Sequence, residues 1–458
     1  MKNIIGIRRE DLSKKGEQRV PITPGFVSEI VAKGHSVLLQ PAMHPKTHEL
    51  KRAFRDVQFT QAGAHVQENI SEAKLIVGLK EIAIESIFPD KAYCCFSHTH
   101  KGQKKNREML QAFYNQRATL IDYELVTDEK GQRTVTAFTY YAGYAGMIDT
   151  LWATAQRLHL KGQDHPFAAI PQAFRYDDLD EFKRLLAEIG EDIQEEGTPA
   201  ELPPFISIVL GDGKTSKGAQ EIFNILPVKQ IRPEEIEAAY NSGNRKQVYQ
   251  CVMHIGDMFR PKVGTAVSRA DWDKMDMEAR SVAYLTTPMD FESTLASYLP
   301  FATIVLNCIV WSPKYQRVVT KAMVRDLWFQ GHHLEVIGDI SCDPNGGVEF
   351  SMETWIDNPV FVYHPLTEES TLGMSGEGVA VMAVTNLPCE FSKDSSEQFA
   401  RDLAHLLPSL VDANFEGSLE ESGLDDELKR GVILWKGQFT EKYAYMMEYL
   451  PEAVPSKS

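Results

Sequence analysis

Three apolar segments of this 458-residue chain end in groups that can bind ligands or move protons: LIVGL runs into Lys80 and Glu81, AYCCFS into His98, and LIDY into Glu124. Near the start, the loop SKKGEQRVP adds Arg19. Together they offer a guanidinium for a carboxylate, an ammonium and an imidazole for acid–base work, and two carboxylates for an amine. Each has an ordinary alternative, since a lysine beside a glutamate is more often an exposed pair and a lone histidine more often structural. Chance explains their recurrence at equivalent strand ends less well, because ligands of open α/β sheets collect beyond the carboxyl ends of strands.

A second constellation lies further on, where the strand FISIVL enters GDGKTSKGA and then the helical pattern AQEIFNIL. Gly211 and Gly213 fit GxGxxG, the third position is Ser216, and Lys217 and Gly218 follow. A strand-to-helix turn of this kind lets a pyrophosphate approach the backbone at a helix N-terminus. A tight turn without ligand is the competing reading. A Walker A loop is excluded, because Ile208 stands where its first glycine would be. About 20 residues on, the strand PVKQI is followed by Arg232 rather than an acid, which favours NADP(H) through a 2′-phosphate. Glu234 and Glu235 lie close and keep NAD(H) open.

Short strands alternating with helical patterns must carry these groups. In the first part they are Asn3 to Ile7, helix Pro24 to Lys33, Ser36 to Gln40, Leu75 to Leu79, Ala92 to Phe96 and Thr119 to Asp122. A long small-residue segment, Tyr140 to Leu160, reads as a helix bridging two domains, and a second α/β unit starts at Pro204. The expected fold is α/β, two Rossmann-like doubly wound parallel-sheet domains with a cleft between them. The tail from about Asp394 reads as helical and acidic.

With 64 acidic and 48 basic residues the net charge is −16, which disfavours nucleic acid and anionic membrane as partners. Six scattered cysteines lack the spacing of a metal site, so no metal is expected. No run approaches the roughly 18 apolar residues of a membrane span, and a cytoplasmic protein with small-molecule substrates is expected, compatible with an oligomer.

The chain resembles the lysine-forming saccharopine dehydrogenases, above all the lysine-ketoglutarate reductase part of bifunctional aminoadipic semialdehyde synthase, in the alanine dehydrogenase/transhydrogenase superfamily. The resembling pieces run in order along nearly the whole chain: RRED with GEQRVPITP, LIVGLKE, FSHTHKGQ, LIDYE, AFTYYAGYAGMI, GDGKTSKGAQEIFN, GDISCDPNGGVEF and VTNLP. The resemblance implies reductive condensation of lysine with 2-oxoglutarate to saccharopine, or the reverse, using NAD(P)H. It gives Lys80 and His98 the acid–base work, Glu81 and Glu124 the lysine side, and Arg19 a carboxylate. It also implies substrate contacts at Arg133 and Phe138 and a cofactor contact at Asp339. Residues 1–139 with 343–458 become the substrate domain, and 140–342 the dinucleotide domain. One departure stands out: the family's carboxylate-binding arginine falls on Thr134, with Arg133 one residue early. On a strand that shift reverses the side-chain face. A related amino-acid or opine dehydrogenase, and a catalytically silent nucleotide-binding protein, are the alternatives.

Overall fold

The computed structural model describes residues 2–450. Among them the strands in chain order are β1 (Ile4–Ile7), β2 (Ser36–Leu39), β3 (His65–Val66), β4 (Leu75–Val77), β5 (Ala92–Cys95), β6 (Thr119–Asp122), β7 (Ile206–Leu210), β8 (Val228–Gln230), β9 (Val248–Met253), β10 (Phe259–Pro261), β11 (Phe291–Ser293), β12 (Ile304–Asn307), β13 (Val336–Asp339), β14 (Val360–Tyr363), β15 (Ser370–Leu372), β16 (Val379–Met382), β17 (Val432–Trp435) and β18 (Gln438–Phe439). They build two eight-stranded mixed sheets and a small ribbon of β10 and β11.

The chain divides into two compact units. The first runs to Ala137 and resumes at Ser392, and the second is Phe138–Phe391. In the first unit the strand order is β18-β17-β6-β5-β4-β1-β2-β3, with β1 to β6 parallel. Strands β4, β5 and β6 are buried throughout, the mark of a parallel sheet covered on both faces. The strand order switches direction between the neighbours β1 and β4, so the carboxyl ends of these strands form a natural ligand edge.

The second unit has the order β15-β14-β16-β13-β12-β7-β9-β8. The helix Ala137–Leu160 lies against this sheet, and its small residues explain how closely. A Cβ at Gly143 would lie 2.1 Å from the Thr215 carbonyl oxygen, one at Gly218 would lie 2.4 Å from that of Tyr140, and one at Gly146 would lie 2.6 Å from Ile340. The acidic stretch after it forms the helix Leu179–Glu195, started by the Asp178 side chain accepting from Glu181 N–H and burying Leu179, Phe182, Leu186, Ile189 and Ile193 at helical spacing.

Two expectations change. The chain returns to the first unit at Ser392 rather than near 343, because β16 pairs with β13 and carries β14 and β15 with it in the second sheet. The tail is not only helical. After the helix Ser392–Leu403, β17 pairs antiparallel with β6, and β18 folds back on β17. The strand LPVKQI adds a third difference: β8 sits at the sheet edge, and β9 comes between it and β7.

Candidate active site

The carboxyl ends of β4, β5 and β6 in the first unit carry the charged groups expected there. The loop after β4 is held by a buried ion pair. Glu10 accepts from Leu79 N–H at 2.8 Å and Lys80 N–H at 3.0 Å, while Arg8 donates to the Lys80 carbonyl at 2.7 Å and to Glu10 at 3.0 Å. Gly78 makes room for Arg8, since a Cβ there would lie 2.2 Å from its Nε. This clamp fixes the backbone of Lys80 and Glu81. The Lys80 ammonium has no hydrogen bond or ion pair among the described residues, so it is available to a ligand.

His98 reaches the same loop by an unusual backbone. Its φ of 51° is left-handed, a conformation that costs a non-glycine residue about 1 kcal/mol or more and points to functional constraint. Its Nδ1 lies 3.0 Å from Glu81 Oε1, and Lys14 Nζ lies 2.8 Å from Glu81 Oε2. Burial alone would raise the Glu81 pKa, but hydrogen bonds from His98 and Lys14 outweigh it and hold the carboxyl well below the usual range. The partner of His98 is thus a carboxylate rather than Lys80.

Glu124 forms a second, similar centre after β6. Lys101 Nζ lies 2.8 Å from Oε1, Arg133 Nη1 3.8 Å from Oε1 and His100 Nε2 3.7 Å from Oε2. Against burial, Lys101 and then His100 and Arg133 lower its pKa. Burial lowers that of His100. Arg133 reaches the site from a hairpin over residues 127–133, closed by a bridge between Thr127 and Arg133, while the Thr134 hydroxyl is buried without a hydrogen-bond partner. Asp122 underlies both centres: it accepts from Ser97 N–H at 3.0 Å, from the Ser97 hydroxyl and from Glu124 N–H at 2.8 Å. Arg19 is buried, with Nε and Nη2 donating to Glu17 at 2.8 and 2.6 Å. Phe138 is half-buried near the start of the long helix of the second unit.

The glycine loop lies at the carboxyl end of β7. Gly211 has φ 94°, which only glycine adopts without strain, and a Cβ at Gly213 would meet nothing within 4 Å. Gly213 starts the helix Lys214–Phe223 with no side-chain cap. Open space and an uncapped helix end fit a pyrophosphate. Lys217 is exposed on the first turn, whereas Ser216 and Gly218 are buried, Ser216 accepting from Gln220 and Gly218 packing on the long helix. Asp339, ending β13, is buried and bonded by Asn307 at 2.8 Å and by Ser351; burial pushes its pKa up to about 6. Arg232 is exposed after the edge strand β8, 3.2 Å from Glu234 and 3.4 Å from Glu235.

Several site residues escaped the sequence reading. Lys14 stood in the same loop as Arg19, and His100 and Lys101 two and three places after His98 in FSHTHKGQ. Arg8 and Glu10, in RRED, were given no role, yet both are buried. None of the six cysteines is in a disulfide. Among the described residues no His, Cys, Asp and Glu cluster could hold a metal, and no helix is long and apolar enough to cross a membrane.

Two family models match the chain: alanine dehydrogenase/PNT, N-terminal domain, over residues 6–145, and alanine dehydrogenase/PNT, C-terminal domain, over 263–442. An α-aminoadipic semialdehyde synthase of Arabidopsis thaliana is 32% identical over 97% of this chain and 41% of its own length. A Neurospora crassa saccharopine dehydrogenase (NAD(+), L-lysine-forming) is 25% identical over 90% of this chain and 91% of its own. The chain spans about half the length, or less, of the semialdehyde synthases it matches, 41% to 48%. An L-alanine dehydrogenase structure shares the fold, with a TM-score of 0.61 at 17% identity over 97% of this chain and 98% of that one. The chain belongs to the alanine dehydrogenase/transhydrogenase superfamily, as a homologue of the lysine-forming saccharopine dehydrogenases and aminoadipic semialdehyde synthases.

Proposed function

We propose that the chain is an oxidoreductase that condenses L-lysine with 2-oxoglutarate and reduces the resulting imine to saccharopine, or runs the reverse, with a nicotinamide dinucleotide. The observation that carries this reading is the placement of Lys80, His98 and two ionised carboxylates, Glu81 and Glu124, at the ends of three adjacent strands of one sheet. Glu81 and Glu124 suit a substrate with two ammonium groups, because each is held ionised and partly exposed. The carboxylates of the keto acid fall to Arg133, while Arg19 is paired with the buried Glu17.

The substrate amine attacks a ketone carbon only as the neutral amine, so a base removes its proton before the C–N bond forms. Lys80 and His98 are the groups for this step and for protonating the departing hydroxyl, which leaves as water when the C=N bond forms. Glu81 orients the His98 ring through Nδ1, directing Nε2 at the substrate. A reduced nicotinamide bound at the glycine loop would supply hydride, and the Arg133 guanidinium would fix the carboxylate next to the imine carbon in position. Gly211, Gly213 and Lys217 serve the pyrophosphate, and Asp339 supports the neighbouring strand end.

Dinucleotide oxidation with lysine plus 2-oxoglutarate, run beside pyruvate plus ammonia, tests the reading. Turnover is expected with the first pair. Lys80→Met and His98→Gln are each expected to slow it by about 10²-fold or more while dinucleotide affinity holds. Turnover with pyruvate and ammonia alone would replace this reading with an alanine dehydrogenase-like one, and unchanged rates in both variants would remove the assigned roles.

A further inference from the structure

The strand order removes the ground for assigning the ribose 2′-position to Arg232. In a doubly wound sheet the adenosine ribose meets the end of the strand beside the glycine-loop strand. Here that strand is β9, not β8. It ends at Met253, and His254 follows, neither an acid nor an arginine. His254 Nδ1 lies 3.1 Å from Asp212 Oδ2, the middle residue of the Gly211–Gly213 turn, and Asp257 accepts from His254 N–H at 3.0 Å. The acid missing from the strand end is thus supplied by the glycine loop itself.

The charge around the end of β9 has the same sense. Besides burial, Asp257, Glu234 and Glu235 push the Cys251 thiol pKa upward, and Asp257 and Glu234 act likewise on Tyr298, so all three acids lie near this strand end with Asp212. Arg232, Lys229 and Arg280 oppose them, and both arginines are engaged. Arg232 pairs with Glu234 and Glu235, while Arg280, packed on Gly256, donates to the carbonyls of Trp272 at 3.0 Å and Asp273 at 3.4 Å. A dianionic 2′-phosphate would meet an excess of carboxylate, whereas a hydroxyl would find an acceptor.

The residue after His254, Ile255, lines a cavity of about 250 Å³ that spans the residues following β9 and β12, on either side of β7. Ile255, Phe259, Tyr284, Trp311 and Tyr315 line it. Trp311 Nε1 is out of solvent with no hydrogen-bond partner among the described residues, a donor waiting for a heteroaromatic acceptor. We propose that Asp212, held by His254, accepts from the adenosine ribose hydroxyls with the base in this cavity, so that the chain prefers NAD(H) to NADP(H). This rests on the dinucleotide reading above.

Equilibrium binding of NADH and NADPH, with displacement by AMP and 2′-AMP, tests it without turnover. NADH is expected to bind roughly tenfold or more tightly than NADPH, and AMP to displace it better than 2′-AMP. Asp212→Asn is expected to weaken NADH about tenfold and NADPH little, closing the gap, while Arg232→Ala leaves the ratio alone. Tighter NADPH binding by the parent chain, or a ratio unmoved by Asp212→Asn, would overturn the proposal while sparing the dinucleotide reading. Binding of neither dinucleotide would overturn both, and loss of turnover in Lys80→Met with NADH binding intact bears on the catalytic roles alone.

Discussion

The two units use the same kind of sheet edge in opposite ways. At the ends of β4, β5 and β6 the carboxylates are ionised and surrounded by cations: Glu81 by Lys14 and His98, Glu124 by Lys101, His100 and Arg133. At the ends of β7, β12 and β13 the backbone is stripped of side chains by Gly211 and Gly213, and the buried acid Asp339 is surrounded by neutral donors and pushed toward protonation. A buried acid pair in that unit, Asp149 and Glu390, goes further in the same direction. Asp149 accepts from Ala173 N–H at 2.8 Å and Glu390 from Phe174 N–H at 3.2 Å, but Oδ2 of one and Oε1 of the other have no donor. A proton shared by the pair satisfies both. One topology therefore supports carboxylates paired with cations in one unit and, in the other, a bare glycine turn with a buried acid pushed toward protonation, and the difference lies in which side chains the strand ends carry.

The largest way to break this contrast is to restore a side chain where the second unit has none. Gly143→Ala places a methyl 2.1 Å from a backbone carbonyl on the helix after the glycine loop, and neither helix can yield without moving that loop. The expected cost is about 3 kcal/mol, on the order of 10 °C in melting for a unit of this size, read by calorimetry. The matching change in the first unit, Gly78→Ala, meets the Arg8 side chain instead of backbone. It is expected to cost less in melting yet to slow turnover, because Arg8 and Glu10 hold the Lys80 loop. Equal melting losses would mean the two edges tolerate side chains alike.

Much of this contrast was legible in the residues. The strands β1, β2 and β4 to β7 were readable as apolar runs, while the two-residue β3 was not, and the strand-end positions of Lys80, His98 and Glu124 followed from those runs directly. Three other things were not readable, each because pairing partners lie far apart in sequence. β17 pairs with β6 across some 300 residues of chain, so VILW within an acidic tail carried no sign of its partner. β14 to β16 join the second sheet by pairing with β13, which local pattern cannot specify. The position of β9 between β7 and β8 is a choice of neighbour rather than of conformation, so the strand that follows the glycine helix in sequence is not the one beside β7. Around the charged rim, the ion pairs of Lys14 and Lys101 depend on how two loops meet, whereas the glycine turn was local and readable.

A smaller effect sharpens the comparison by its sign. Burial raises the Asp149 pKa from 3.8 to about 6, so the folded state holds a proton that the unfolded chain has lost. That contribution is full below about pH 3.8 and disappears as pH rises through about 6, leaving a buried charge that costs up to about 3 kcal/mol at neutral pH. Asp149→Asn keeps the oxygen that accepts from Ala173 and removes the charge. It is expected to raise the melting temperature above pH 6 and to flatten the fall in stability between pH 4 and 6, and an unchanged pH profile would show that the pair is not protonated.

The smallest effect is the mirror image. Glu81 has its folded pKa depressed below 4.5, so its contribution is present above about pH 4.5 and is lost as pH falls through the lower folded value. Glu81→Gln is therefore expected to cost about 1 kcal/mol at neutral pH and nothing in strong acid, since the site is partly solvated and its partners can turn to water. Denaturant unfolding of both variants at neutral pH gives the decisive reading, because replacing a carboxylate by its amide should stabilise the second unit and destabilise the first. If both amides shift stability the same way, charge pairing does not distinguish the two rims, and Glu81 and Glu124 lose their claim to be ionised sites prepared for an amine.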